Sequence, residues 1–415
     1  MILENIDYLV TQNEKREVKK EVDVLIRDGT IEEISDFIAG DQRIDCSGKI
    51  VTPGLINCHT HIPMNLFRGL SDNKKLDNWF LQDISPAEAK LEEDDIKLGS
   101  KHALLEMIKT GTTCFNDMYF YENIIADICQ ESGLRAVLSR VLTEEDGECL
   151  EKTKKLIYKV KDIEKIDVAV GPHSLYTCME EKLRDSKQIH EENNIKIHTH
   201  LSETKNEYKK GKSQVERFHE LGLINQDFIG AHAVYLNDKD IEILVKEGSS
   251  VVHNPCSNLK LGSGIANITK YREKGLKVGL GTDSVASNNN LNMFEEMKFA
   301  CLLQKEKNPE KFTAQDAFDM ATIEGAEILG KEKDIGSIEE GKKADLLFID
   351  KEKVGLTPTY GKKGIVSNLV YSFNGMVDHT MVDGEFLMKN RCTEIFEESS
   401  VINEIEHRKN KFRNR

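Results

Sequence analysis

Residues 54 to 61 read Gly54-Leu-Ile-Asn-Cys-His-Thr-His61, a short apolar run that stops abruptly at two histidines. The run is too short for a core helix and is opened by Pro53-Gly54, so it reads as a buried strand. The same pattern recurs down the chain. Apolar runs at Gly54 to Asn57, Gly111 to Asn116, Arg135 to Arg140, Asp167 to Gly171, Ile195 to His198, Phe228 to Ala231, Ser250 to His253 and Lys277 to Gly281 are separated by charged, helical-looking segments. Such strand-then-helix units over roughly 250 residues or more fit a (β/α)₈ barrel better than an open doubly wound sheet. No Gly-x-Gly-x-x-Gly follows the first run and no Walker Gly-Lys-Ser/Thr occurs, so a nucleotide-phosphate cradle is not indicated.

Outside the repeating units, both ends of the chain are strand-rich. Val22 to Ile26, an Arg27-Asp28-Gly29 turn and Thr30 to Ile34 lie near the start. Ala344 to Ile349, Val366 to Tyr371 and Met376 to Val382, with an Asp383-Gly384 turn, lie near the finish. Chain termini tend to meet in compact proteins, so residues 1–50 and 335–391 are expected to build one small β-sandwich domain. The barrel then occupies 51–334, and 392–415 forms a C-terminal helix or tail. Its basic run, His407 to Arg415, reads as a solvated tail or helix end.

Composition narrows the function. Lys and Arg number 57 against 72 for Asp and Glu, and the net charge of -15 repels a phosphate backbone, so nucleic acid is not the expected partner. The nine cysteines include no Cys-x-x-Cys pair, which speaks against a disulfide framework or thiolate zinc knuckle and for a reducing, cytoplasmic setting. No secretory signal and no membrane-spanning apolar run is seen.

Polar residues follow the apolar runs: His59 and His61, Asn116 and Asp117, Arg140, His173, His200 with Glu203, His232, His253 and Asp283. In a barrel these are the carboxyl ends of strands, where barrel enzymes place their sites. Residues two apart on a strand share a face, so His59 and His61 can reach one ion, although a bare His-x-His is equally a surface pair.

The motifs Thr52-Pro-Gly-Leu-Ile-Asn-Cys-His-Thr-His61, Ile197-His-Thr-His-Leu-Ser-Glu203, Gly230-Ala-His232 and Gly281-Thr-Asp-Ser284 together resemble the amidohydrolase superfamily. Pro63-Met-Asn-Leu-Phe-Arg-Gly-Leu70, Ile84-Ser-Pro-Ala-Glu-Ala-Lys-Leu91, Gly171-Pro-His-Ser174, His253-Asn-Pro-Cys-Ser-Asn-Leu-Lys-Leu-Gly262 and Ala286-Ser-Asn-Asn-Asn290 resemble its methylthioadenosine, S-adenosylhomocysteine and 5'-deoxyadenosine deaminase branch. The resemblance spans essentially the whole chain. It implies a zinc-dependent hydrolytic deaminase of adenosine-type nucleosides, assembled as a homo-oligomer, with His59, His61, His200 and Asp283 holding one divalent metal. Imidazole nitrogens with one carboxylate suit Zn²⁺, and Fe²⁺ or Mn²⁺ fit the spacing too. His173 stands after the fourth run, where binuclear relatives carry a bridging lysine, so one ion is expected rather than two.

The resemblance also implies catalytic roles for Glu203, His232 and Asp283, with substrate contacts from Glu88, His173, Glu203 and Asp283. Each has a structural alternative. Glu203 reads equally as a first-turn helix glutamate, Glu88 as part of a Ser85-Pro86-Ala87-Glu88 capping box, and His173 and His253 as loop supports. His232 touches either the metal or only the attacking water. Enzymes acting on a free base or an s-triazine share the metal ligands, and Glu88 and His173 point instead to a ribosyl substrate. Asn73, Phe80, Ser284 and Asn292 depart from the branch's usual residues near the mouth, so the 5' substituent stays open.

Overall fold

The protein was analysed as a computed structural model, which describes all residues except 145–147, 208–210, 307 and 414–415. Eight parallel strands form the central sheet: β1 (Leu55–Thr60), β2 (Thr112–Tyr119), β3 (Arg135–Leu142), β4 (Ile166–Pro172), β5 (Lys196–Leu201), β6 (Phe228–His232), β7 (Ser250–His253) and β8 (Lys277–Leu280). Every one coincides with an expected apolar run. Helices such as Glu93–Thr110, Glu122–Ser132, Glu180–Asn193 and Asp238–Lys246 connect them, and each strand pairs with the next in register, for example Leu201 with His232.

The barrel closes where the first and last strands meet. The seam is a parallel bridge between Thr60 and Asp283, backed by Asp283 N–H donating to the His59 carbonyl at 3.0 Å. Gly281 permits the approach, because a Cβ there would lie 2.9 Å from the His59 backbone nitrogen. Lower in the barrel, Cys114, Val137, Ala169, Ile229 and Val252 from five strands join Ala326, Ile328 and Leu329 around helix Ile323–Leu329 in a separate apolar cluster. The site described below lies at the opposite, carboxyl end of the strands.

Both chain ends contribute to two further sheets. One orders Thr30–Ser35, Val22–Arg27, Ile2–Ile6 and Arg43–Asp45. The other orders Glu385–Met388, His379–Val382, Leu346–Asp350, Lys49–Pro53, Tyr8–Val10 and Val18–Lys19. Leu3, Ile6, Val24, Ile31, Val51, Leu346, Phe348 and Met381 form the core between them, so the sandwich drawn from both ends is present. Strand Lys49–Pro53 runs straight into β1 and ties sandwich to barrel.

One local expectation is corrected and another is narrowed. Val366 to Tyr371 is not a strand but the end of helix Gly361–Tyr371. Its buried residues, Ile365, Val366, Leu369 and Val370, have helical spacing that its β-branched content obscures. The basic C-terminal run, read as a solvated tail or a helix end, is a helix end over its described residues, 414–415 lying outside them. It ends helix Glu398–Phe412, where Arg408 and Lys411, three apart on one face, meet the fully buried Asp95 at 2.7 and 2.6 Å. Phe412 is buried and packs edge-on to Phe67. Among the described residues no helix is long and apolar enough to cross a membrane, and the described cysteines are all free.

Candidate active site

Four strand ends deliver five ligand-competent side chains to one point. His59 and His61 come from the end of β1, His200 from β5, His232 from the end of β6 and Asp283 from the turn after β8. Ligand atoms of His59, His200 and His232 lie within 4.8 Å of one another, and so do those of His59, His61 and Asp283. Asp283 Oδ1 stands 3.2 Å from His61 Nε2 and 3.6 Å from His59 Nε2, while His61 and His200 face each other Nε2 to Nε2 at 3.4 Å. Asp283 Oδ2 is occupied by the Ser257 and Ser287 hydroxyls, at 2.5 and 2.6 Å, which turns Oδ1 to the histidines. Burial alone would raise the Asp283 carboxyl, but the facing His59 and His61 rings outweigh it and hold it well below the usual range.

The donor set fits a divalent ion. His59 Nε2 is fully buried without a hydrogen-bond partner, and a buried orphan nitrogen is costly unless something else engages it. His61 Nδ1 donates to the Met118 carbonyl at 2.7 Å and His200 Nδ1 to the His173 carbonyl at 2.9 Å, so the inward Nε2 atoms keep their lone pairs. His232, left open between metal and water by the sequence, joins the same cluster, with Nδ1 held by Asn258 Oδ1 at 2.8 Å. The backbone at His232 and Asp283 is left-handed, φ 73° and 59°. For non-glycine residues this costs about 1 kcal/mol or more each, and at these two positions it aims the side chains into the cluster.

Above the cluster opens a cavity of about 330 Å³ lined by His61, His173, His200, His232, Glu203, Asp283 and Glu88 together with Trp79, Phe80 and Tyr176. Glu203 does not cap a helix. It follows Ser202, whose φ is 49°, and the next long helix is capped by Ser213. Its Oε1 accepts from Ser263 Oγ at 3.0 Å and its Oε2 lies 3.8 Å from His232 Nε2. Burial pushes this carboxyl up to about 7, with Asp283 adding to the rise and His232 opposing it. A carboxyl raised in this way can carry a proton near neutrality.

Ser85 makes no capping bond, because the turn Ser85–Glu88 continues an irregular helix from Leu76. Glu88 instead faces the cavity, where Tyr119 Oη donates to its Oε1 at 2.8 Å, and burial raises its carboxyl despite that bond. His173 lines the same wall, with Nδ1 2.9 Å from Thr177 Oγ1 and burial holding the ring down to about 4. His253 is buried away from the cavity lining with neither nitrogen paired, and Asn254 opens helix Pro255–Lys260 rather than a bare turn. Arg140 is buried and donates to the Val141 carbonyl at 2.7 Å.

The sequence reading missed His198, which contacts His59 Nδ1 at 2.9 Å. Its signal was present, since residues 198–200 repeat the His-Thr-His of 59–61. Tyr119, Ser257 and Asn258, whose partners lie 26 or more residues away, were not among the expected site residues either, nor was Ser287, four residues past Asp283.

Residues 50–387 match the amidohydrolase family. The chain is 42% identical over 414 residues to a 5'-deoxyadenosine deaminase of Methanosarcina acetivorans, covering 96% of this chain and 95% of that protein. It is 39% identical over 426 residues to a 5-methylthioadenosine/S-adenosylhomocysteine deaminase of Thermoanaerobacter pseudethanolicus, covering 98% of each. Its fold matches the crystal structure of an adenosine deaminase from Xanthomonas campestris with bound zinc at a TM-score of 0.95 and 28% identity, covering 99% of this chain and 98% of that one.

Proposed function

The chain belongs to the amidohydrolase family, and from that premise we propose that it hydrolytically deaminates adenosine-type nucleosides: 5'-deoxyadenosine, 5'-methylthioadenosine, S-adenosylhomocysteine or adenosine. The products are ammonia and the corresponding inosine analogue. The observation that carries this reading is one cavity holding a metal-competent cluster, a glutamic acid with a raised pKa beside it, and a carboxylate fixed by a tyrosine farther along the wall.

His59, His61, His200 and Asp283 would hold one divalent ion, taken to be zinc from the nitrogen-rich donor set. A metal held there supplies a Lewis acid that makes hydroxide available near neutral pH. Protonated Glu203 donates to ring N1 of the adenine as oxygen adds at C6, which keeps charge from building on the heterocycle. Asp283 takes one proton of the attacking water and returns it to the departing amine, so ammonia leaves, and the proton remaining on the C6 hydroxyl passes back to Glu203 as the C6 carbonyl forms. His232, 3.8 Å from Glu203, orients the attacking oxygen. Glu88 accepts hydrogen bonds from the ribose hydroxyls, and His173 makes a further contact to the nucleoside.

The same proposal includes a cytoplasmic setting, supported by free and mostly buried thiols. It also includes a homo-oligomer, supported by exposed apolar side chains such as Val354 and Tyr360. The deciding experiment measures kcat/KM on the four nucleosides by the ultraviolet change on loss of the amino group, with guanine and an s-triazine as controls. Turnover of the controls alone, or of nothing, rejects the reading.

A further inference from the structure

Four histidines aim a ring nitrogen at the cluster, and the partner of each opposite nitrogen decides which one carries the hydrogen. For His61 and His200 that partner is a backbone carbonyl, and for His232 it is the Asn258 amide oxygen at 2.8 Å, nearer than the Asn254 amide nitrogen at 3.3 Å. Oxygens of these kinds only accept, so Nδ1 carries the hydrogen and Nε2 keeps its lone pair. His59 has no such oxygen. Its Nδ1 meets Nε2 of His198 at 2.9 Å, and a neutral imidazole nitrogen serves as donor or acceptor. If His198 donated there, His59 would carry its hydrogen on Nε2, and the atom facing Asp283 would have no lone pair to give.

The direction is set farther back. Asn116 Nδ2 lies 3.1 Å from the Cys58 carbonyl, which only accepts, so the amide nitrogen takes that side and Oδ1 the other. Ser139 Oγ therefore donates to Asn116 Oδ1, at 2.9 Å. With its single hydrogen directed there, Ser139 accepts from His198 Nδ1 at 3.0 Å. His198 is left with Nε2 as an acceptor, His59 donates Nδ1–H to it, and His59 Nε2 stays bare. All four side chains are 0% exposed, so each hydrogen is placed within the chain of contacts itself.

We propose that Asn116, Ser139 and His198 form a one-way hydrogen-bond chain, anchored on the Cys58 carbonyl, that fixes His59 in the Nδ1–H tautomer and thereby sets the affinity of the site for its metal. None of the three lines the cavity, so they are positioning residues. The inference rests on the metal site of the proposed function.

The test strips the purified protein of metal and titrates it with Zn²⁺ against a chromogenic chelator. Ser139→Ala and His198→Leu are expected to bind about 10–100-fold more weakly. His198→Gln, whose carbonyl oxygen accepts from His59 with no tautomer to set, is expected to stay close to the unmodified chain. In the metal-free, histidine-labelled protein, ¹⁵N spectra are expected to show His59 and His198 both protonated at Nδ1, a readout that needs no variant to fold. Unchanged affinity in folded Ser139→Ala and His198→Leu overturns the proposal, and so does a His59 ring protonated at Nε2. Equal losses in the Gln and Leu variants overturn it too. If the unmodified chain takes up no divalent ion, the metal site itself falls instead.

Discussion

At the scale of single residues, Glu203 bears the strongest expectation. Replacing it by Gln keeps the shape and removes the transferable proton, so kcat should fall about 10²–10⁴-fold while metal content stays unchanged. Elemental analysis beside steady-state kinetics checks both halves. Burial raises this carboxyl to about 7, so its acidic form dominates below that pH and is lost above it. A pH profile of kcat/KM should accordingly carry a limb on which rate falls as pH rises, absent from Glu203→Gln. Individual site residues were legible where their type was unusual and their position terminal: histidines, Glu203 and Asp283 each stand where an apolar run ends. Partners were not. Ser257 and Ser287 lie 26 and 4 residues from the Asp283 oxygen they share, and a serine carries no mark of such a duty until the loops are folded. His198 closes the run Ile195 to His198 in the sequence, but the strand continues to Leu201 and leaves its side chain below the cavity, where its only duty is to other side chains.

At the scale of elements, the eight barrel strands were legible because strands buried on both faces become continuous apolar runs. Helix Gly361–Tyr371 was misread for a related reason: a buried helix flank rich in valine and isoleucine imitates a strand over a short window. The docking of helix Glu398–Phe412 was illegible because its partners are remote, Phe67 for Phe412 and, for the ionic part, Asp95, 313 residues away from Arg408. Asp95→Asn should loosen that helix at a cost of about 2 kcal/mol, read by chemical denaturation, with kcat little changed. Its two cations outweigh burial and hold Asp95 below its ordinary value. A depressed folded value means that its stabilisation is present above the unfolded pKa and is lost as pH falls through the folded one. The difference between Asp95 and the Asn variant should therefore shrink in acid, below about pH 4.

At the scale of the whole molecule, sandwich and barrel share a continuous strand path from Lys49 into β1, and the barrel shuts at the bridge between Thr60 and Asp283. A metal gripped by β1, β5 and the turn after β8 binds only the closed form. Chelation should thus lower the unfolding midpoint, and restoring Zn²⁺ should return it. At a thousandfold excess over Kd the linkage amounts to about 4 kcal/mol, on the order of 5 °C for a chain of this length. A midpoint indifferent to chelator in calorimetry would contradict the site. The seam also has a bearing on biogenesis. Thr60 and Asp283 are separated by 223 positions, so a ribosome has released the first two histidines long before their carboxylate counterpart exists. An ion held by both ends of that seam would have to wait until nearly the entire barrel has been synthesised, so metal loading would come late and report on completed folding.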